Sequence, residues 1–350
     1  MKLLKVLHLS DEVWDSGLTA YALQVAALLK GAGHEVVVGL RGGKTPIKAA
    51  SGSGLETREV DSIFDLRRVV REDWDIINVH TGRTHTWAVV FSDLIGKRAK
   101  RMSIVRTRGD ARPLQVHPLS RLVYRHTSAV IAASEHVKKD YETGFGWGQP
   151  KLTTIYPSVA VDHESSAPPV DRVGIIGRLD PVKGHSVYLE AAAHILRSRP
   201  QTQFLVAGKE AGVSIQLLKN QATQLGIEKS IKFLGYQDSA QDFMRSCTIG
   251  VIASIGSEEI SRACLEWMGT GRAVVGTLVG CLSELIEPDE TGLLVPPGDA
   301  LAMAKGILHL LANKTIAETW GKNARALAIR RFSPEIQLRK TLDVYERTLR

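Results

Sequence analysis

A chain of 350 residues, 44% hydrophobic and 23% charged, is long enough for two separate cores and too mixed for a disordered or fibrous class. The net charge of +8 is mild for a nucleic-acid binder, so no nucleic-acid partner is expected, and no run approaches the roughly 18 apolar residues of a membrane helix. Cys247, Cys264 and Cys281 are too far apart for a CxxC metal or redox pair, and their odd number argues against a disulfide framework; a reducing cytoplasm is the expected compartment.

Short apolar runs alternate with helical periodicity from the first residues onward, the pattern of parallel sheets wound with helices. KVLHL (Lys5 to Leu9), EVVVGL (Glu35 to Leu40), DIINV (Asp75 to Val79), SIVRT (Ser103 to Thr107), AVIAA (Ala129 to Ala133) and KLTTIY (Lys151 to Tyr156) read as strands. A first helix is expected from about Leu18 to Lys30, with Leu18, Tyr21, Ala22, Val25, Leu28 and Leu29 on one face and a glycine-rich stop at GAGH. Between the fourth and fifth strands, GKRAKRMSIVRTRGDAR (Gly96 to Arg112) carries seven basic residues against one acid. It reads either as a solvated face or as a docking site for an anionic partner, an anionic membrane surface in particular, through residues 97–112.

PSVAVDHESSAPPVD (Pro157 to Asp171) has no period of either kind and reads as an interdomain linker. A second series follows: RVGII (Arg172 to Ile176), QFLVAG (Gln203 to Gly208), SIKFLG (Ser230 to Gly235), TIGVIA (Thr248 to Ala253) and RAVVGT (Arg272 to Thr277). TGLLVPPGDA (Thr291 to Ala300) reads as a turn-rich stretch ahead of helices over about Ala300 to Leu311 and Ile316 to Arg330, and FSPEI opens a final helix. The expectation is an α/β protein of two Rossmann-like doubly wound domains, 1–165 and 170–330, with a C-terminal helix over 331–350 packing back toward the first.

Two phosphate signatures fail. GLRGGKT (Gly39 to Thr45) would need a glycine at Val38 to be a P-loop, and GSGLETR near Gly52 lacks both a preceding strand and a full GxGxxG. A better phosphate site is IIGRLDPVKGH (Ile175 to His185), where a strand empties into a basic, glycine-flanked loop ahead of a helix. Downstream, Glu258 is expected at a strand end and Glu266 about two turns away in a helix starting near Ile260. Carboxylates at a strand's carboxyl edge accept hydrogen bonds from sugar hydroxyls; alternatively, Glu266 pairs on an amphipathic helix and Glu258 caps it.

These motifs, GRLDPVKG (Gly177 to Gly184), the Glu258/Glu266 pair, GTGRAVVGT (Gly269 to Thr277), ETGLLVPPGD (Glu290 to Asp299) and GLTAYALQVAALLKGAGHEV (Gly17 to Val36), together resemble a GT-B fold retaining glycosyltransferase of glycosyltransferase family 4. The resemblance implies that the cleft between the domains is the active site. It also implies a nucleotide-diphosphate sugar as donor, a saccharide or lipid-linked saccharide as acceptor, and a role in bacterial surface polysaccharide or lipopolysaccharide assembly. Arg178 and Lys183 would hold the diphosphate in place of a metal, so that no metal or other cofactor is expected. Gly17 would let backbone amides approach the same diphosphate, Glu258 would contact the donor sugar as the third catalytic group, and Glu266 would bind the ribose.

Two departures stand out. Where the family has Gly-Phe-Gly after the first glutamate, this chain has Glu259, Ile260 and Ser261 in the donor-binding positions, and Gly109 falls near the place of an N-terminal-domain histidine. His80, His85, Arg106, Arg108 and Asp110 become the acceptor-side candidates; the histidines read equally as structural groups in a loop. A nucleotide-sugar epimerase of the same fold, or a nucleotide-sugar-binding subunit without turnover, are the alternative functions.

Overall fold

The computed structural model describes residues 2–13, 16–42, 45–94, 102–110, 112–148, 151–161, 168 and 170–350. The chain divides into two compact units, residues 1–158 with 334–350, and residues 159–333. Residues 97–101 and 111 of the expected basic docking stretch lie outside the described residues, as do residues 162–167 and 169 of the expected linker.

The first unit is a seven-stranded sheet in the order β3-β2-β1-β4-β5-β6-β7, every pairing parallel. Its strands are β1 (Lys5–Ser10), β2 (Glu35–Leu40), β3 (Glu56–Glu59), β4 (Ile76–Val79), β5 (Ser103–Arg108), β6 (Ala129–Ala132) and β7 (Leu152–Thr154). The central strands are apolar on both faces because helices cover both, as parallel sheets require. Those helices are α1 (Gly17–Gly31), α2 (Thr45–Gly52), α3 (Ile63–Val70), α4 (Gly82–Val89), α5 (Pro118–Arg125) and α6 (Glu135–Phe145). Edge strand β3, ETRE, carries no apolar alternation and has no counterpart among the sequence-read strands.

The second unit is a six-stranded parallel sheet, β10-β9-β8-β11-β12-β13. Its strands are β8 (Arg172–Ile176), β9 (Gln203–Ala207), β10 (Ile231–Gly235), β11 (Ile249–Ile252), β12 (Ala273–Thr277) and β13 (Gly292–Val295). The helices of this unit are α7 (His185–Leu196), α8 (Ile215–Gln224), α9 (Ala240–Arg245), α10 (Arg262–Gly269), α11 (Leu282–Leu285), α12 (Ala300–Ala312) and α13 (Lys314–Phe332). β13 corrects the reading of Thr291 to Ala300 as turn alone: GLLV pairs with β12 in register, Val275 opposite Leu293.

The last helix, α14 (Pro334–Leu349), belongs to the first unit. Its Tyr345 hydroxyl accepts a hydrogen bond from Asn78 Nδ2 at 2.7 Å, and Thr348 O accepts one from Ser103 Oγ at 2.8 Å. Two glycines in the second sheet are fixed by packing. A Cβ at Gly250 would meet the Trp267 ring at 2.4 Å, and one at Gly174 would meet Cys247 Sγ at the same distance, so α10 seats its indole directly on β11 and β8.

In each sheet the strand order reverses once, between β1 and β4 and between β8 and β11. Open parallel sheets bind ligands outside the carboxyl ends of such neighbouring strands, because the connections there diverge to opposite faces. The loops that follow those four strands are therefore the places to look.

Candidate functional site

In the second unit the loop after β8 is GRLDPVKG. Asp180 caps a 3-10 turn over Pro181–Lys183, its carboxylate accepting from the Val182 amide at 3.0 Å. The chain then turns through Gly184 at φ +68 into α7. A Cβ at Gly184 would lie 1.9 Å from the Ala253 carbonyl oxygen, so only glycine lets this loop close on the end of β11. The Ile255 amide donates to Val182 O at 2.8 Å, stitching the loop after β8 to the loop after β11.

That stitching brings two sequence-read residues together. Lys183 Nζ forms an ion pair with Glu258 Oε1, and Ser254 Oγ donates to the same oxygen. The Glu258 side chain is 3% exposed and that of Lys183 27%. Glu258 is not at a strand end, as the sequence suggested: β11 stops at Ile252 and α10 starts at Arg262 rather than near Ile260, leaving an irregular segment between them. Glu258 does not cap that helix either; its carboxylate is held by Lys183 and Ser254 instead. The backbone before it is strained, with Ser257 at φ +58. Behind it, the Cys281 amide donates to Glu258 O at 2.7 Å, and a Cβ at Gly280 would fall 2.3 Å from that oxygen. The carboxylate is thus held from in front and its backbone from behind, which is how a site fixes a charge before a ligand arrives.

Arg178 is not drawn into this cluster. Its side chain is 52% exposed, with Asp180 at 3.8 Å. Glu266 lies on α10, half-buried and paired with Arg262 at 3.1 Å. Glu259 accepts a hydrogen bond from Ser257 Oγ at 3.4 Å, Ile260 is half-buried, and Ser261 is buried with its Oγ unpartnered among the described residues. The first residue of α7, His185, is buried with neither ring nitrogen bonded among the described residues, and burial together with the Lys183 charge lowers its pKa to about 4. Gly17 opens α1 in the first unit, behind a Ser16 cap whose Oγ accepts from the Thr19 amide at 3.1 Å.

In the first unit the loops after β1 and β4 and the end of β5 line an open cavity of about 600 Å³. Its wall includes Asp11, Arg83, His85, Arg106, Arg108 and Asp110, so four of the five acceptor-side candidates share one space. His80 does not line it: fully buried just after β4, it places Nε2 3.0 Å from His8 Nδ1 with the rings stacked. Nor is His85 in a loop; it sits in α4, buried, with Nε2 at 2.8 Å from Thr127 Oγ1. Burial holds both histidines well below their usual range, with the Arg106 charge adding to it, and burial lowers His8 to about 3, so all three are neutral.

Sequence reasoning missed Ser254, Ser257, Gly280, His8 and His185. His185 closes IIGRLDPVKGH but carries no motif signal of its own, and Ser254, Gly280 and His8 matter because the fold sets them beside residues away in sequence. Among the described residues no group of three or more His, Cys, Asp or Glu is arranged to hold a metal ion, and no helix is long and apolar enough to cross a membrane.

Comparisons with known proteins divide the chain at the same place. Residues 16–163 match the model described as Glycosyltransferase Family 4, and residues 170–313 the model described as Glycosyl transferases group 1. A phosphatidyl-myo-inositol mannosyltransferase of Mycobacterium leprae is 32% identical over 198 residues, 54% of this chain and 51% of that protein. The lipopolysaccharide core biosynthesis mannosyltransferase LpsB of Rhizobium meliloti is 28% identical over 183 residues, 51% of this chain and 52% of that protein. The chain thus spans about half the length of these curated relatives. Among solved structures, Anabaena HepE in complex with UDP superimposes with a TM-score of 0.87 at 20% identity, covering 98% of this chain and 100% of that one, a likeness of fold.

Proposed function

The chain belongs to the GT-B glycosyltransferases of the family 4 type, and from that premise we propose that it transfers a sugar from a nucleotide-diphosphate donor to an acceptor hydroxyl with retention at the anomeric carbon. The observation that carries the proposal is the Lys183–Glu258 pair at the switch point of the second sheet. A fixed cation beside a fixed carboxylate, in the loops that follow two adjacent strands, suits a leaving diphosphate next to a carbon that is gaining positive charge.

In this reading Arg178 and Lys183 bind the diphosphate, whose negative charge grows as the sugar departs, and no divalent ion is required. Arg178, exposed and held only at 3.8 Å by Asp180, is free to swing onto phosphate oxygens. Glu258 orients the sugar hydroxyls and stabilises the developing positive charge, while the departing phosphate takes the acceptor's proton on the same face. Glu259, Ile260 and Ser261 lie beside the sugar, and Glu266 turns from Arg262 to the ribose diol. The first unit holds the acceptor. The printed names of the relatives support a mannosyl or related hexosyl donor and an acceptor in surface glycolipid or lipopolysaccharide assembly, and the UDP in the Anabaena structure supports a nucleoside-diphosphate donor. We place the enzyme in the cytoplasm, with a peripheral contact at the inner membrane face through residues 97–112.

A thermal-shift panel of UDP-, GDP- and ADP-sugars, followed by product analysis, tests the reading, because a bound donor raises the melting temperature with its concentration over its Kd. Stabilisation with transfer or slow donor hydrolysis is expected. Inversion of the donor sugar without transfer would identify an epimerase, and binding without chemistry a partner subunit.

A further inference from the structure

We propose that the cavity of the first unit is an anion subsite, so that the acceptor is a saccharide carrying a carboxylate or a phosphate. Calling the ligand an acceptor rests on the transferase reading above; the anion site itself does not.

The inference starts from β5. Strand alternation puts Arg106 and Arg108 on one face, while Thr107 between them donates from the other face to Asn78 Oδ1 at 2.9 Å. Both guanidiniums thereby reach the cavity, each residue 3% exposed. Arginine cannot discharge itself by losing a proton, so two full positive charges are held out of water.

The cavity's own acids do not answer them. Five arginines and three carboxylates line it. Asp11 accepts from Thr81 Oγ1 and lies 3.6 Å from Arg83, and Glu12 accepts from Ser16 Oγ at 2.6 Å. The remaining acid, Asp110, is shared by Arg106 at 3.5 Å, Arg108 at 3.8 Å and Arg112 at 3.7 Å. All three distances exceed the roughly 2.7 to 2.9 Å of a charge-assisted hydrogen bond. Arg108 finds a closer partner in Asp140 at 3.2 Å and stacks over the Tyr141 ring. Arg106 does not: Val79 O accepts from Nη1 at 3.3 Å, and Nε has no partner among the described residues.

A buried guanidinium with one orphaned N–H and only long contacts to a shared carboxylate is incomplete, since such a group is ordinarily satisfied. A carboxylate or phosphate entering the cavity would supply short, forked bonds to Arg106 and relieve Asp110 of one of its three claimants. A neutral sugar accepts from the arginines only through hydroxyl oxygens and brings no negative charge to offset them. His85, neutral on the same wall, adds no competing charge.

The test uses the full-length protein at fixed ionic strength, titrated calorimetrically with glucose, glucuronate, glucose 6-phosphate, inorganic phosphate and, separately, UDP. Glucuronate or glucose 6-phosphate should bind at least about tenfold more tightly than glucose, and which of the two is tighter identifies the anion. Arg106→Gln should reduce both to the level of glucose while leaving UDP binding intact, whereas Arg178→Ala should do the reverse. Should Arg106→Gln not fold, Arg83→Ala at the partly exposed rim reads out the same loss. Equal binding of charged and neutral sugars overturns the proposal, as does a charge preference that survives these cavity variants or vanishes with Arg178→Ala. Inorganic phosphate binding as tightly as glucose 6-phosphate keeps the anion site but overturns its assignment to a saccharide, since the sugar then contributes nothing. Anion binding without any donor turnover would instead refute the transferase reading and leave the subsite standing.

Discussion

Replacing Gly184 by alanine should damage the donor site far more than the same change at Gly226, although both glycines sit at nearly the same dihedral, φ +68 and φ +70. At Gly226 an added Cβ meets nothing within 4 Å, so the cost is the left-handed backbone alone, about 1–2 kcal/mol. At Gly184 the same strain applies, and in addition the Cβ would stand 1.9 Å from the Ala253 carbonyl oxygen, where ordinary contact begins at 3.4 Å. The loop must retreat by more than an ångström, breaking the Ile255–Val182 hydrogen bond and moving Lys183 away from Glu258. Overpacking of this kind costs a further 1–3 kcal/mol or so, and a displacement near 1 Å in a positioning loop costs about 10²-fold in rate. Urea unfolding gives the first quantity, and UDP titration with donor turnover gives the second. Equal loss of stability in the two variants, with unchanged UDP affinity in Gly184→Ala, would refute the claim that this glycine builds the phosphate loop.

The remaining predictions concern charge and titration. Arg178→Ala and Lys183→Ala should both fold and each lose about 10²- to 10³-fold in turnover, the usual cost of removing one electrostatic stabiliser; near wild-type rates would sink the assignment. EDTA should leave turnover intact, and a loss restored by magnesium or manganese would show that a metal shares the leaving-group chemistry. His8, His80 and His85 in the first unit and His185 in the second are held neutral by burial. The unfolded chain therefore takes up protons that the folded chain refuses. Stability is fully present above the ordinary value near 6.5 and falls as the pH drops toward the folded values, by about 1 kcal/mol per histidine between about pH 6.5 and 5.5. Burial lowers His34 of the first unit as well, so calorimetry across this window should show the first unit losing at least about three times as much as the second, and equal loss would contradict the burial of the His8–His80 pair. Cys247, Cys264 and Cys281 are buried, with burial raising the Cys247 thiol to about 12 and the others upward too; rapid iodoacetamide labelling of the native protein would refute that.

How much of this was legible in the sequence depended on whether the signal was local. β2 and β8 begin and end where EVVVGL and RVGII do, because a strand buried on both faces announces itself as a continuous apolar run. β3 has no such run, being a polar edge strand, and β13 was hidden by the turn residues that follow it. The loop after β8, proposed above to hold the diphosphate, stood out in the sequence for the same reason as the strands: its glycines and basic residues are contiguous. Its partner segment was readable only in part. Glu258 stood out, but the strain at Ser257, the Ser254 hydroxyl and the Gly280 backing arise from contacts with no sequence period. His80 was open in the sequence between a ligand contact near a strand end and a hydrogen-bonded structural group, and the fold takes the second, setting it against His8 in the core.

The most direct test of the central claim is an NMR time course of the wild-type protein and Lys183→Ala with nucleotide-diphosphate sugars, alone and with a glucuronate-terminated acceptor. The account predicts that one donor loses its sugar to product of the same anomeric configuration in the wild type, and that the signal persists in the variant. An unchanged donor in both proteins, an inverted product, or equal turnover by the variant would contradict it.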